Sequence, residues 1–142
     1  MTHLLRKTLL GCGILSLILS SQAGQVNAEE KATRFFEIRT YTTHPGKLDA
    51  LHARFRDHTN SIFKKHGMQL VGYWTPTDEA LKNNTLVYIL AYKDKAAREK
   101  AWAGFRNDPD WKKAFQASRE DGPIVKKVDS KFLTPTDYSP IK

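Results

Sequence analysis

The mature part of the chain carries four histidines, His44, His52, His58 and His66, and such a set raises the question of a metal site. A helical ligand pair needs i, i+3 or i, i+4 spacing. His52 and His58 would stand about 120° apart around a helix, and His52 and His66, nearly in line, would be about 21 Å apart along it. The spacing therefore predicts no metal centre. His66, next to Gly67, suits the negative end of a helix dipole. His58 falls at the edge of the apolar arc drawn by Leu51, Phe55 and Ile62, a position predicted to lie between helix and sheet, where an imidazole can act as a proton acceptor.

Glu37, Arg39 and Tyr41 alternate with apolar residues and so share one strand face. If that face lines a shared barrel, an unpaired buried charge there would cost several kcal/mol, so Glu37 and Arg39 must pair. Read structurally, the pair fixes the register of a dimer. Read functionally, it is a polar floor for an anionic or carbonyl ligand, with Arg39 a two-pronged donor and Tyr41 a second one. Tyr73, Trp74, Tyr88, Tyr92 and Trp102 have the size and planarity to stack on a flat ligand, although aromatic residues at strand and helix spacing also build cores. The candidate ligand-binding residues are therefore Arg39, Tyr41, His58, Tyr73, Trp74 and Tyr88. His58 and Tyr41 are the candidate proton acceptors, and no catalytic residue is assigned. Nucleophile elbow, phosphate loop and dinucleotide fingerprint are all missing from the sequence, and no cofactor is expected.

The elements that must position these residues follow from periodicity. Phe35 to Thr43 alternates as a first strand, with Phe36, Ile38 and Thr40 on the face opposite Glu37. After the Pro45-Gly46 turn, Leu48, Leu51, Phe55, Ile62 and Phe63 recur at helical spacing until Gly67 stops the helix. Met68 to Thr75 reads as a second strand ended by Pro76. The run from Leu86 to Tyr92 is apolar or aromatic at every position, so its strand is buried on both faces. Asp94 caps a helix through Ala97, Ala101, Trp102 and Phe105, and Asp108-Pro109 restarts one through Trp111, Ala114 and Phe115. Ile124 to Leu133 is the fourth strand. The order is the ferredoxin-like βαββαβ arrangement, an α+β fold with a four-stranded antiparallel sheet and helices on one face. Val87, Ile89 and Ala91 would then face water, which predicts a homodimer with the two sheets packed face to face in an α+β barrel.

Arg6, Lys7, the apolar stretch Leu9 to Leu19 and Val26-Asn27-Ala28 read as a signal peptide over residues 1–28, cleaved after Ala28 and too short to span a bilayer. Residues 29–33 form a short tether, 34–135 the domain and 136–142 a C-terminal tail. The expected location is secreted or periplasmic, with no stable membrane insertion after cleavage. The sole cysteine, Cys12, leaves with the leader, so the domain must be held by packing. Loss of Arg6 and Lys7 takes the basic residues from 23 to 21 against 15 acids, a net charge of about +6. These charges are interleaved, and no nucleic-acid partner is expected.

Phe36-Glu37-Ile38-Arg39-Thr40-Tyr41-Thr42, Pro45-Gly46-Lys47, Lys65-His66-Gly67 and Val71-Gly72-Tyr73-Trp74 resemble the NIPSNAP family. Tyr92-Lys93-Asp94 running into Ala96-Ala97-Arg98-Glu99, the turn Asn107 to Trp111, and Ser130-Lys131-Phe132-Leu133-Thr134-Pro135 extend the resemblance over residues 35–135. It implies a dimeric α+β barrel of the kind shared with cofactor-free monooxygenases, and it implies little about chemistry. The expected function is the binding of a small, largely apolar ligand by a homodimer. Two alternatives stand beside it: a cofactor-independent monooxygenase-like enzyme acting on an aromatic substrate held between the first helix and the sheet, and a protein-interaction module.

Overall fold

A computed structural model describes residues 34–142. The signal peptide and the tether lie outside the described residues. Four strands, β1 (Phe35–Thr43), β2 (Gln69–Trp74), β3 (Thr85–Tyr92) and β4 (Val125–Leu133), form one sheet in the order β2-β3-β1-β4. Every neighbouring pair is antiparallel. The helical segments are α1 (Leu48–Arg54), a π-helical turn (Phe55–Thr59), α2 (Asn60–Lys65), α3 (Lys95–Asn107) and α4 (Pro109–Ala117). This is the expected ferredoxin-like α+β fold, two interleaved split βαβ units with helices on one face. Among the described residues no helix is long and apolar enough to cross a membrane.

Local chemistry sets the boundaries. Asp94 Oδ1 accepts from the Ala97 amide at 2.7 Å and Asp108 Oδ1 from the Asp110 amide at 2.9 Å, so both helices start on the carboxylates that the sequence marks as caps. Gly67 takes a φ of 78°, the left-handed stop after α2. Leu86, Tyr88, Leu90 and Tyr92 of β3 turn toward the helices and are buried with Leu51, Phe55, Phe63, Trp102 and Phe105 in one core.

Two features differ from the sequence reading. The helix from Leu48 is not uniform, because five residues at its middle adopt the wider π turn. A π turn spends about one more residue per revolution than an α turn, and everything within it shifts around the axis. Thr59 rather than His58 reaches the core side, and its hydroxyl donates to the Arg54 carbonyl oxygen at 3.1 Å. The sheet's second face is also not bare. Residues 134–141 run against Phe36, Val71 and Ile89, leaving a groove of about 340 Å³, and Phe36 and Ala91 are buried. Arg34 Nε donates to the Lys142 carbonyl oxygen at 2.5 Å and fastens the far end of this tail. Ile38, Thr40, Val87 and Ile89 remain half-exposed on the same face.

Candidate functional site

β1 places Glu37, Arg39 and Tyr41 on the helix side of the sheet, opposite Leu90, Tyr88 and Leu86 of β3. The charged pair therefore lies between the helices and the sheet within one chain, not on the face that the expected dimer would bury. Glu37 is 0% exposed and fully engaged. Its Oε1 accepts from Arg39 at 2.6 Å, Arg98 at 2.9 Å and the Ser130 hydroxyl at 2.5 Å. Its Oε2 accepts from Arg98 Nε and the Trp102 indole N–H at 2.9 Å each and from the Tyr92 hydroxyl at 3.2 Å. Burial pushes this carboxyl up, but the hydrogen bonds from Arg98, Ser130 and Arg39 outweigh it and hold the pKa at about 2. Donors from β1, β3, β4 and α3 thus converge on one carboxylate.

Beside it lies an aromatic box. Tyr73 and Tyr88 stack at 5.5 Å with 20° between their planes, and Tyr41 and Phe55 meet Tyr88 edge-on at 5.4 and 5.1 Å. Arg39 donates to the Tyr41 hydroxyl at 3.4 Å, and the Tyr73 hydroxyl donates to Asn60 Oδ1 at 2.8 Å. The Tyr88 hydroxyl is fully buried and has no hydrogen-bond partner among the described residues; Tyr41 and Arg39 lie beside it without reaching bonding geometry. Burial accordingly raises the Tyr88 phenol well above its ordinary pKa, and the same cause raises Tyr73. Phe55 and Tyr73 also form part of the wall of an open cleft of about 460 Å³ between the first helix and edge strand β2, with Leu86 behind and His52, Arg56 and Asn60 on the rim.

Four of the six candidate residues, Arg39, Tyr41, Tyr73 and Tyr88, are thus brought together. Two are not. His58 is exposed on the π turn, because the wider turn rotates it off the arc that an α-helix would have given it. Trp74 pairs with Val87 in the β2–β3 ladder, and its ring lies across Gly72, where a Cβ would come within 2.5 Å of the indole. A bulge between Leu70 and Gly72 sets this alternation, so the Trp74 side chain belongs to the face away from the helices while its strand end borders the cleft. Trp74 is 51% exposed. Among the described residues no three His, Cys, Asp or Glu side chains gather as metal ligands.

Sequence reasoning missed Arg54, Asn60 and Arg98. Arg98 follows from α3 once Glu37 is known to face the helices, since the inward side of α3 brings Arg98 and Trp102 to that carboxylate. Arg54 carried a visible signal, a cation directly before Phe55 inside the apolar arc of the first helix.

The fold and cleft together define a ferredoxin-like α+β domain with an aromatic-walled cleft between the first helix and the sheet. The chain belongs to the NIPSNAP family, whose model matches residues 36–140. A NIPSNAP family protein of unknown function from Agrobacterium tumefaciens is 28% identical over 79% of this chain and 96% of its own, with a TM-score of 0.67. An uncharacterised NIPSNAP-like domain protein from Burkholderia xenovorans is 21% identical over 77% of this chain and 90% of its own, also at 0.67. SnoaB, a cofactor-independent oxygenase from Streptomyces nogalater, shares the fold at 18% identity over 75% of this chain and 97% of its own, with a TM-score of 0.51. No curated protein matches the chain.

Proposed function

We propose that this NIPSNAP domain binds a small, largely apolar, planar ligand in the cleft between the first helix and β2. The observation that carries the reading is the cleft itself: about 460 Å³, within the range of small-molecule sites, with an aromatic back wall and a few polar groups at the rim. Phe55 and Tyr73 offer ring faces and edges, and Asn60, His52 and Arg56 offer the polar contacts that orient a ligand. The unpartnered Tyr88 hydroxyl one ring behind the wall supports the same reading, since a buried polar atom without a partner costs about 1–3 kcal/mol. The oxygenase alternative draws less support. Of its two proton acceptors His58 stands in solvent, and Tyr41 alone remains near the cleft wall.

The proposal extends to a homodimer formed through the half-exposed part of the outer sheet face, and to export of the mature chain into the periplasm or medium. The test of the ligand reading is a fluorescence titration with 1-naphthol, a planar apolar ring with one hydroxyl. The wild type is expected to saturate, and His52→Trp, which fills the cleft from its rim without entering the core, to lose binding at least tenfold while keeping its circular dichroism spectrum. Equal binding by the two proteins would remove the cleft as the site.

A further inference from the structure

On the other flank of the first helix, toward β4 and away from the cleft, Arg54 is buried to 4% exposure at the end of α1. Among the described residues it takes part in no ion pair, although Glu37 and Asp108 show that this chain pairs its buried charges closely. Among the described residues the guanidinium makes one hydrogen bond, from a terminal nitrogen to the Ser118 hydroxyl at 3.3 Å, and its Nε is buried with no partner. The guanidinium lies 5.5 Å from both the Trp111 and Phe115 rings. Cation–π contact recovers about 0.5–2 kcal/mol, less than the several kcal/mol lost when a charge leaves water. Burial accordingly lowers its pKa, and repulsion from Arg119 adds to this against the pull of Tyr41 and Tyr88.

Arg119 itself sits 4.8 Å over the same Phe115 ring. The two guanidiniums border a cavity of about 170 Å³ whose remaining wall is Phe115, Pro123, Ile124 and Val125. Like charges gathered at a small apolar cavity favour an anion there, and the wall chemistry narrows its class. The cavity has room for several water molecules or for one small organic anion. An inorganic anion would leave the hydrocarbon wall unused, whereas a carboxylate matches the guanidinium fork in two parallel hydrogen bonds and brings a short apolar body to the wall.

We infer that Arg54 and Arg119 form a binding site for a small monocarboxylate with a short aliphatic or aromatic tail, separate from the cleft of the proposed function. Arg54 supplies the buried charge and orients the carboxylate; Arg119, exposed at the mouth, closes over it.

The test is isothermal titration of the full chain with sodium benzoate and with sodium butyrate at matched ionic strength, inorganic phosphate serving as the competing class, joined to melting curves. Benzoate or butyrate is expected to bind once per chain and to raise the melting temperature. Arg54→Met is expected to abolish binding and, by removing an uncompensated charge, to melt several degrees higher than the wild type without ligand. Should Arg54→Met fail to fold, Arg119→Gln at the exposed mouth is expected to weaken binding about tenfold, the size of one lost charge-assisted contact. Unchanged carboxylate affinity in either variant overturns the site. A ligand-free wild type that melts no lower than Arg54→Met shows the charge already met within the chain and overturns it too, and phosphate binding as tightly as benzoate overturns the carboxylate class.

Discussion

Glu37 shows how much of this fold is tied to one side chain. A carboxyl of this kind in an unfolded chain has a pKa of 4.5, and the hydrogen bonds on Glu37 hold it at about 2 in the fold, so the native state binds fewer protons between those values. Its contribution is therefore complete above about pH 4.5 and is lost as the pH falls toward 2. That difference corresponds to about 3 kcal/mol, and urea unfolding followed from pH 6 to pH 2.5 is expected to show a loss of that order. Glu37→Gln at neutral pH leaves Arg39 and Arg98 without their counter-charge and is expected to cost about 3–5 kcal/mol, with the acid-dependent part of the curve flattened. The alternation of β1 made the Glu37–Arg39 pairing legible in the sequence. Its side of the sheet was not legible, because strand period two fixes which residues share a face and leaves open which face the helices cover. The decisive partners, Arg98, Trp102 and Ser130, come from sequence positions more than sixty residues away.

At the scale of elements, boundaries carried by caps and glycines were legible, and irregularities within elements were not. Asp94, Asp108 and Gly67 act as their residue types predict. The π turn and the β2 bulge each insert one residue into a regular period; the first turns His58 into solvent, and the second sets which of Tyr73 and Trp74 faces the helices. Nothing in local propensity marks such an insertion, since it answers to packing across the chain. Gly104 is a third case, a glycine inside α3 where alanine would favour the helix by about 1 kcal/mol. Its reason is tertiary: a Cβ there would stand 2.5 Å from Nδ1 of His66, whose Nε2 meets Asp108 Oδ2 at 2.7 Å. This contact clamps the end of α2 to the start of α4. Gly104→Ala is expected to reverse the usual helix preference and destabilise the protein by about 1–3 kcal/mol in urea unfolding, because the half-buried imidazole must leave its place and release the Asp108 contact.

At the scale of the molecule, the outer sheet face decides whether one chain is the working unit. The buried run of β3 signalled from sequence that this face needs a cover, and the tail beside Phe36, Val71 and Ile89 supplies part of it. The tail was not legible as a cover because its residues have neither strand nor helix period; Pro135 and Ile141 reach the sheet through an irregular path. What stays half-exposed is the patch of Ile38, Thr40, Val87 and Ile89, with Trp74 at its β2 side, in the middle of the sheet and flanked on β4 by Lys127, Asp129 and Lys131. A stable interface needs about 800 Å² from each partner, with an apolar centre and a polar rim, and this patch with its charged border has that layout. Native mass spectrometry of protein recovered from the exported fraction is expected to give twice the mass of a chain lacking residues 1–28. Ile89→Lys sets two like charges near the two-fold axis of such a pair, since any residue at the centre of a self-complementary contact meets its own copy. That variant is expected to run as a monomer with an unchanged secondary-structure spectrum, because Ile89 pairs through its backbone with Ile38 whatever its side chain. A wild type that is monomeric at micromolar concentration would mean that the tail and the half-exposed patch suffice, and the helix-side cleft would then belong to a single chain acting alone.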